Sequence, residues 1–322
     1  MFSFAKRYSD NSLTAIVPRP EGLSIAALRQ DNTPTPALQA CEFIQWPAQQ
    51  AGEQHRLMQD KVKQYGLARK PCTTILPLGD YSVLSVEAPD VPVSELKQAI
   101  RWQIKDLIDF HIDDAVLDVF DAPASGVDGR QHNLYVVVSR LATLQQRINT
   151  LQSADINLTT IDVPELVLRN ITAQLPEDEH GVAFIYLERD RGLLVLTHHK
   201  TLYLARTLDL GYDTLQQDGD DEAAAAAQGY NPAFDRLALE VQRSLDYYDR
   251  YFVQPPIAGI VLAPSPQPVP GLVDYLATHL GVAGRVLDLN DIIQSDTVLD
   301  AAQQANCLMA IGAALRTEKK TL

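Results

Sequence analysis

The same order of apolar segments is written twice in this 322-residue chain, and no other feature narrows the possible folds as much. The first round opens with LTAIV (13–17), the turn PRPEG and LSIAAL (23–28). Two short apolar runs around a Pro/Gly turn predict an antiparallel hairpin. The second round opens after residue 181 with VAFIYLE, GLLVLTHH and TLYLARTLDLG, a predicted meander of three strands. Helix-period segments follow in both halves. Strands followed by helices, repeated at long range, predict two α/β lobes related by weak internal similarity. The polar break PEDEHG (176–181) is the expected boundary, which divides 1–176 from 177–322.

The helices are placed by their period. One is predicted over 51–67, with Leu57, Val62 and Tyr65 on a common face and Gly66 at its end. DNTPTP (31–36) before it reads as a turn, and TTILPL and YSVLSVEAP after it as strands. In SELKQAIRWQIKDLIDFHI, Leu96, Ile100, Ile104, Leu107 and Ile108 line one helix face, with Ser94 as the expected N-cap. Trp102 lies off that stripe, so a second face is free for a neighbour or a groove; plain core packing is the alternative. AVLDVF (115–120) and HNLYVVVS (132–139) read as another hairpin, followed by a helix over 141–153 and a strand near 156–162. PELVLRNITAQL reads as a helix with Pro164 in its first turn. In the second half a helix over 234–252 carries the stripe Leu237, Val241, Leu245 and Tyr248. Strands IAGIVLA and RVLDL flank the helix VPGLVDYLATHLG, and a last helix spans 299–316. The acid- and alanine-rich 213–232 lacks large apolar residues and reads as a mobile surface loop.

Composition removes several classes of function. A formal net charge of −14 repels phosphate backbones and anionic headgroups, so nucleic acid is not an expected partner. No stretch approaches the roughly 20 apolar residues of a membrane helix, and the N-terminus has no signal-peptide core. A cytoplasmic location is expected, with membrane attachment only through a partner. Cys41, Cys72 and Cys307 lie far apart without a C-x-x-C, and read as ordinary thiols. No G-x-S-x-G, H-E-x-x-H, Walker A or G-x-G-x-x-G occurs. Asp109, His111, Asp113 and Asp114 could offer oxygens and an imidazole, with 109, 111 and 113 alternating to one side, but with no further His or Cys in reach a solvated acidic turn is the preferred reading over a metal site. His198 and His199 are expected at an exposed hairpin turn.

Four segments, in order, together resemble the PilM family of type IV pilus assembly proteins. SELKQAIRWQIKDLIDFHIDDAVLDVF (94–120) is similar to a family stretch in which a helix E-L-x-x-A-I-x-W-E precedes acids and a strand. LEVQRSLDYYDR (239–250) resembles E-I-x-R-S-L-D-Y-Y, VPGLVDYLATHLG (269–281) the P-G-L helix, and AIGAALR (310–316) the terminal G-L-A-L-R. Within the family, the branch serving mannose-sensitive haemagglutinin (MSHA) pili is the nearest in pattern. The resemblance implies an α/β, actin-like (ribonuclease H-like) two-lobed ATPase fold similar to FtsA. An inserted small subdomain would occupy about 75–140 of the first lobe, and the C-terminal helix would return towards the hinge. It also implies a cytoplasmic platform that grips the N-terminal tail of a PilN-like bitopic inner-membrane protein, in a groove between the main subdomain and the insertion. Trp102, Ile104, Ile108, Phe110, Tyr135 and Val137 are the residues expected to hold that peptide. A pilus assembly ATPase and a second copy of the chain are further expected contacts.

Actin-like folds hold ATP on two hairpin turns and a glycine-rich adenosine loop, whose main-chain N–H groups and glycines let phosphate come close. Here the first turn reads VPRPEG (17–22), where two prolines remove donors and Glu21 adds a negative charge. The second reads ERDRG (188–192) and the adenosine loop APSPQPVPGL (263–272). Glu240, Arg243 and Ser244 remain from the helix that touches the nucleoside in that superfamily; Glu240 and Arg243 equally read as a surface pair. The expectation is therefore a non-catalytic adaptor without cofactor. Two alternatives stand beside it: an ATPase that closes on ATP with Mg, and the cytoplasmic module of a type II secretion platform. Modules of that second kind continue into a membrane helix, so a chain ending at Leu322 without one ranks that reading lower.

Overall fold

A computed structural model describes residues 12–29, 35–47, 51–126, 132–217 and 231–317. In the first lobe β1 (Ser12–Pro18), β2 (Gly22–Arg29) and β3 (Ala37–Gln45) form an antiparallel meander. Helix α1 (Ala51–Tyr65) leads to β4 (Cys72–Ile75), which lies parallel to β1. Gly66 ends α1 in the left-handed region (φ 65°), which a residue with a Cβ adopts only at a cost. The inner face of α1 is Met58 and Val62, with Leu57 only half-buried.

An insertion follows β4. It holds β5 (Tyr81–Glu87), α2 (Val93–Ile104), β6 (Ala115–Asp121) and β7 (Asn133–Arg140), with the strands in the order β5-β7-β6. Ile100 and Ile104 of α2 press on Leu117, Val119, Val136 and Val138, a core of its own. The helix starts two residues earlier than the expected Ser94 cap implies: Pro92 is the N-cap and Val93 the first helical residue. Helix α3 (Leu141–Gln152), β8 (Leu158–Asp162), parallel to β4, and α4 (Pro164–Thr172) complete this half.

The second lobe repeats the plan with β9 (Val182–Leu187), β10 (Gly192–His198) and β11 (Thr201–Leu208). Next come α5 (Tyr212–Gln217), α6 (Pro232–Tyr251), β12 (Gly259–Leu262), α7 (Leu272–Leu280) and β13 (Ala283–Val286). Residues 213–217 are thus helical, not loop, and the remainder of the expected mobile stretch up to 230 lies outside the described residues. The sheets run β14-β3-β2-β1-β4-β8 and β11-β10-β9-β12-β13, where β14 is Gln294–Ser295. Leave out β14 and the two orders match strand for strand, with the same antiparallel and parallel neighbours.

Two helices join the lobes. The C-terminal helix α8 (Ala301–Ala314) lies on β1, β2 and β3, while α4 packs on β9, β10 and β11. Each lobe's sheet is therefore covered by a helix from the other half of the chain, in one continuous core. The helices cross at Gly312, where an added Cβ would meet Val167 Cγ1 at 2.7 Å and the Val167 carbonyl at 2.8 Å. Asn170 Nδ2 donates to the Gly312 carbonyl at 3.0 Å. Arg316 Nη1 donates to Asp162 Oδ2 at 2.7 Å, which ties the end of α8 to β8.

His198 departs from expectation. The turn is there, with His199 and Lys200 at φ 49° and 63°. His198, however, is buried, with Nε2 3.2 Å from the Glu179 carbonyl and Nδ1 3.5 Å from the Tyr248 hydroxyl. As the last residue of β10 it takes the inward side of the strand. Among the described residues no helix is long and apolar enough to cross a membrane.

Candidate peptide groove and interlobe cleft

Helix α2 stops at Ile104, and the chain turns through 105–111 before a short 3-10 turn (Ile112–Asp114) delivers it to β6. This turn makes one wall of a groove of about 330 Å³. The other wall is Gly79 and Asp80 of the β4–β5 link, the first residues of β5, the end of β7 and Thr143 of α3. The groove therefore lies mostly within the insertion, at the edge where it meets the β4–β5 link and α3 of the first lobe. Ile108 and Phe110 are half-buried against the insertion's core, whereas Leu107 is 59% exposed. The Arg140 guanidinium lies 4.3 Å from the centre of the Phe110 ring, and its Nη2 donates to Asp109 Oδ1 at 3.3 Å. Asp80 and Asp109 leave carboxylates beside this apolar strip. The surface suits an extended peptide with apolar side chains and a basic flank.

Of the six residues expected to hold a peptide, the fold brings only Ile108 and Phe110 into this groove. Ile104 is 0% exposed and belongs to the core beneath α2, a correction that follows from its place on the inner stripe. Trp102 is 68% exposed outside the groove lining, with Lys105 Nζ 5.4 Å from its ring centre. Tyr135 and Val137 alternate with the core-facing Leu134, Val136 and Val138, so they take the sheet's other face. There the Tyr135 hydroxyl donates to the Tyr203 carbonyl of β11 at 2.6 Å, and the Phe120 ring lies tilted against it with centres 5.3 Å apart. Tyr135 thus contacts the second lobe. Asp80, Arg140 and Thr143 went unremarked because nothing local marks them: their role comes from a junction of three distant segments.

The acidic patch is modest. His111 Nδ1 accepts from the Asp113 N–H at 3.3 Å and so caps the 3-10 turn. Among the described residues no three His, Cys, Asp or Glu side chains are placed to hold a metal ion.

A second cavity, of about 570 Å³, lies between the lobes where the β1–β2 and β9–β10 turns face each other. In the first turn Arg19 N–H donates to the Gly22 carbonyl at 2.8 Å, and Gly22 N–H to the Arg19 carbonyl at 3.3 Å. Both donors are thus spent within the hairpin, and the Trp46 indole closes on the Arg19 carbonyl at 2.7 Å. In the second turn Glu188 N–H is taken by the Arg191 carbonyl at 2.8 Å. Paired charges line the cavity: Arg191 with Asp190 at 3.2 Å, Arg189 with Asp213 at 2.8 Å. Burial pushes the Glu188 carboxyl above its usual range, with Arg19 opposing. Arg147 reaches in from α3, its Nη2 donating to the carbonyls of Ile75 (2.8 Å) and Pro18 (3.3 Å). On the adenosine side, Glu240 pairs with Arg206 (3.3 Å) and Arg243 (3.0 Å). The Ser244 hydroxyl, fully buried, donates to the carbonyl of Glu240 in its own helix at 2.8 Å. None of these three residues lines the interlobe cavity.

No family model matches the chain, and no curated protein matches it in sequence. Solved structures do match. A chain of the PilM–PilN type IV pilus biogenesis complex aligns with a TM-score of 0.71 at 20% identity, over 94% of this chain and 97% of that one. The cytoplasmic domain of EpsL, an inner-membrane component of the type II secretion system of Vibrio cholerae, aligns at 0.51 and 11% identity, over 95% and 96%. A Bacteroides thetaiotaomicron protein with an actin-like ATPase fold aligns at 0.51 and 9% identity, over 91% and 96%. The fold of this chain is actin-like, as the resemblance implied.

Proposed function

We propose that this chain is a non-catalytic adaptor of type IV pilus assembly, at work on the cytoplasmic face of the inner membrane. It docks the N-terminal cytoplasmic tail of a PilN-like bitopic membrane protein. The observation that carries this reading is the groove at Ile108 and Phe110, at the edge of the insertion where it meets the first lobe, with Asp80 and Asp109 beside it. The likeness to a chain of the PilM–PilN complex supports the same partner class. Assignment to MSHA pili is the finer part of the proposal and rests on the four sequence segments alone.

The test is calorimetry with synthetic tail peptides from pilus membrane proteins. Binding with a dissociation constant on the order of micromolar is expected. Phe110→Ala should weaken it at least about tenfold, the loss of one apolar anchor. No heat with any tail, the MSHA tail included, would end the reading. For the absence of catalysis, support comes from turn donors that bond to their own hairpins. Mg-ATP should then leave the melting temperature unchanged, since only a ligand selective for the native state raises it. A clear rise would revive the ATPase alternative.

A further inference from the structure

The fold brings together two thiols that are remote in sequence. Cys41 stands on β3 and Cys307 on α8, which packs across that strand. Cys307 is buried, Cys41 is half-buried against the same core cluster, and the two thiols are neighbours within it. We propose that Cys41 and Cys307 are a redox-sensitive pair, which hydrogen peroxide closes into an intramolecular disulfide that fastens α8 to the first-lobe sheet.

The roles differ by environment. The neighbouring Cys307 holds the Cys41 thiol below its ordinary range, with burial opposing, and the same pairing together with burial pushes the Cys307 thiol up. Cys41, the more accessible of the two, is thus the attacking thiolate and Cys307 the resolving thiol. In the first step the Cys41 sulfur attacks one peroxide oxygen and the O–O bond breaks. Cys41 becomes a sulfenic acid, and the departing hydroxide takes a proton to leave as water. Cys307 then attacks the sulfenic sulfur; the S–O bond breaks and a second water leaves with the Cys307 proton. Two thiols lose two electrons and the peroxide is reduced to two waters. Cys72 is the internal contrast: its thiol is buried, 3.3 Å from the Lys70 carbonyl, and pushed up to about 12 by burial.

The experiment treats the full chain with hydrogen peroxide, alkylates it under denaturing conditions and reads intact mass and peptide maps. The expected result is one alkylated thiol, Cys72, out of the three present, a cross-linked Cys41–Cys307 peptide, and reversal by dithiothreitol. Cys41→Ser should leave both Cys72 and Cys307 open to alkylation, whereas Cys72→Ser should keep the cross-link. Cooperative melting of each variant checks that it is folded, and the cross-link in the unaltered chain depends on no variant. Three alkylated thiols, a Cys41 sulfinic acid with Cys307 free, or covalent dimers through Cys41 would each overturn the proposal.

Discussion

Between β4 and β8 the first lobe carries a three-stranded sheet, α2 and α3, while the matching gap in the second lobe, from β12 to β13, holds α7 alone. Everything else in the two sheets corresponds strand for strand. The crossover between parallel strands runs over the outside of a lobe, so a whole subdomain can be set there without a change to the sheet beneath. The lobe with the short crossover is left as plain scaffold, and the lobe with the long one gains a junction. That junction is the groove at Ile108 and Phe110. The insertion also reaches the second lobe, through Tyr135 to Tyr203 and Gly126 to Tyr251, so it touches both halves.

The sharpest way to break this comparison is at the one place the lobes share. Gly312→Ala forces a methyl into Val167 on the crossing helix, and should cost about 3 kcal/mol in urea unfolding, the upper end for overpacking. A cost below about 0.5 kcal/mol, the range of neutral surface changes, would mean that the lobes do not depend on that crossing.

Next in size is the tie between the insertion and α4. The Tyr81 hydroxyl donates to Glu165 Oε2 at 2.6 Å, and Glu165 is buried. Tyr81→Phe leaves that carboxylate without its donor and should cost about 2 kcal/mol in the same assay.

The pH dependence of the two lobes should differ in sign. Burial holds Glu165 above the usual carboxylate range, with the Tyr81 bond opposing. Its protonated form is therefore favoured by folding, and the stability it contributes is lost as pH rises through that raised value. In the second lobe Arg285 donates to Glu177 at 2.5 Å and holds it below the usual range. That contribution is present above the usual range and lost as pH falls through the lowered value. Denaturation midpoints of Glu165→Gln and Glu177→Gln, relative to the parent across the acid range, should diverge in opposite directions.

Smaller still, Tyr135→Phe removes one hydrogen bond between insertion and second lobe and should cost about 1 kcal/mol. The smallest effect belongs to Trp102→Ala, within about 0.5 kcal/mol for so exposed a side chain. Tail binding should survive it while Phe110→Ala loses binding; the reverse pattern would move the docking surface to the outer face of α2.

Much of this was legible residue by residue. The stripe Leu237, Val241, Leu245 and Tyr248 is the buried face of α6, and Pro164 opens α4. Strand β3 was not foreseen, because in ALQACEFIQ only Leu38 is fully buried and glutamine and glutamate interrupt the alternation. The start of its outer edge is instead paired by β14, Gln294 with Ala37 and Ser295 with Leu38. The site was half legible. Ile108 and Phe110 stood out as apolar residues among acids, but Ile104 has the same composition and lies in the core.

By itself the sequence determined most of the strands and helices, though not β3 or the helix at 212–217, and that the pattern occurs twice. Periods of 2 and 3.6 residues are properties of a few consecutive side chains, and turn residues act on their own backbone. Only the tertiary structure decided that α8 serves the first lobe's sheet and α4 the second's, that Cys41 meets Cys307, and that the β4–β5 link and Arg140 complete a groove with Phe110. Those are meetings between segments far apart in the chain, set by which apolar faces cover each other, and no local period records them.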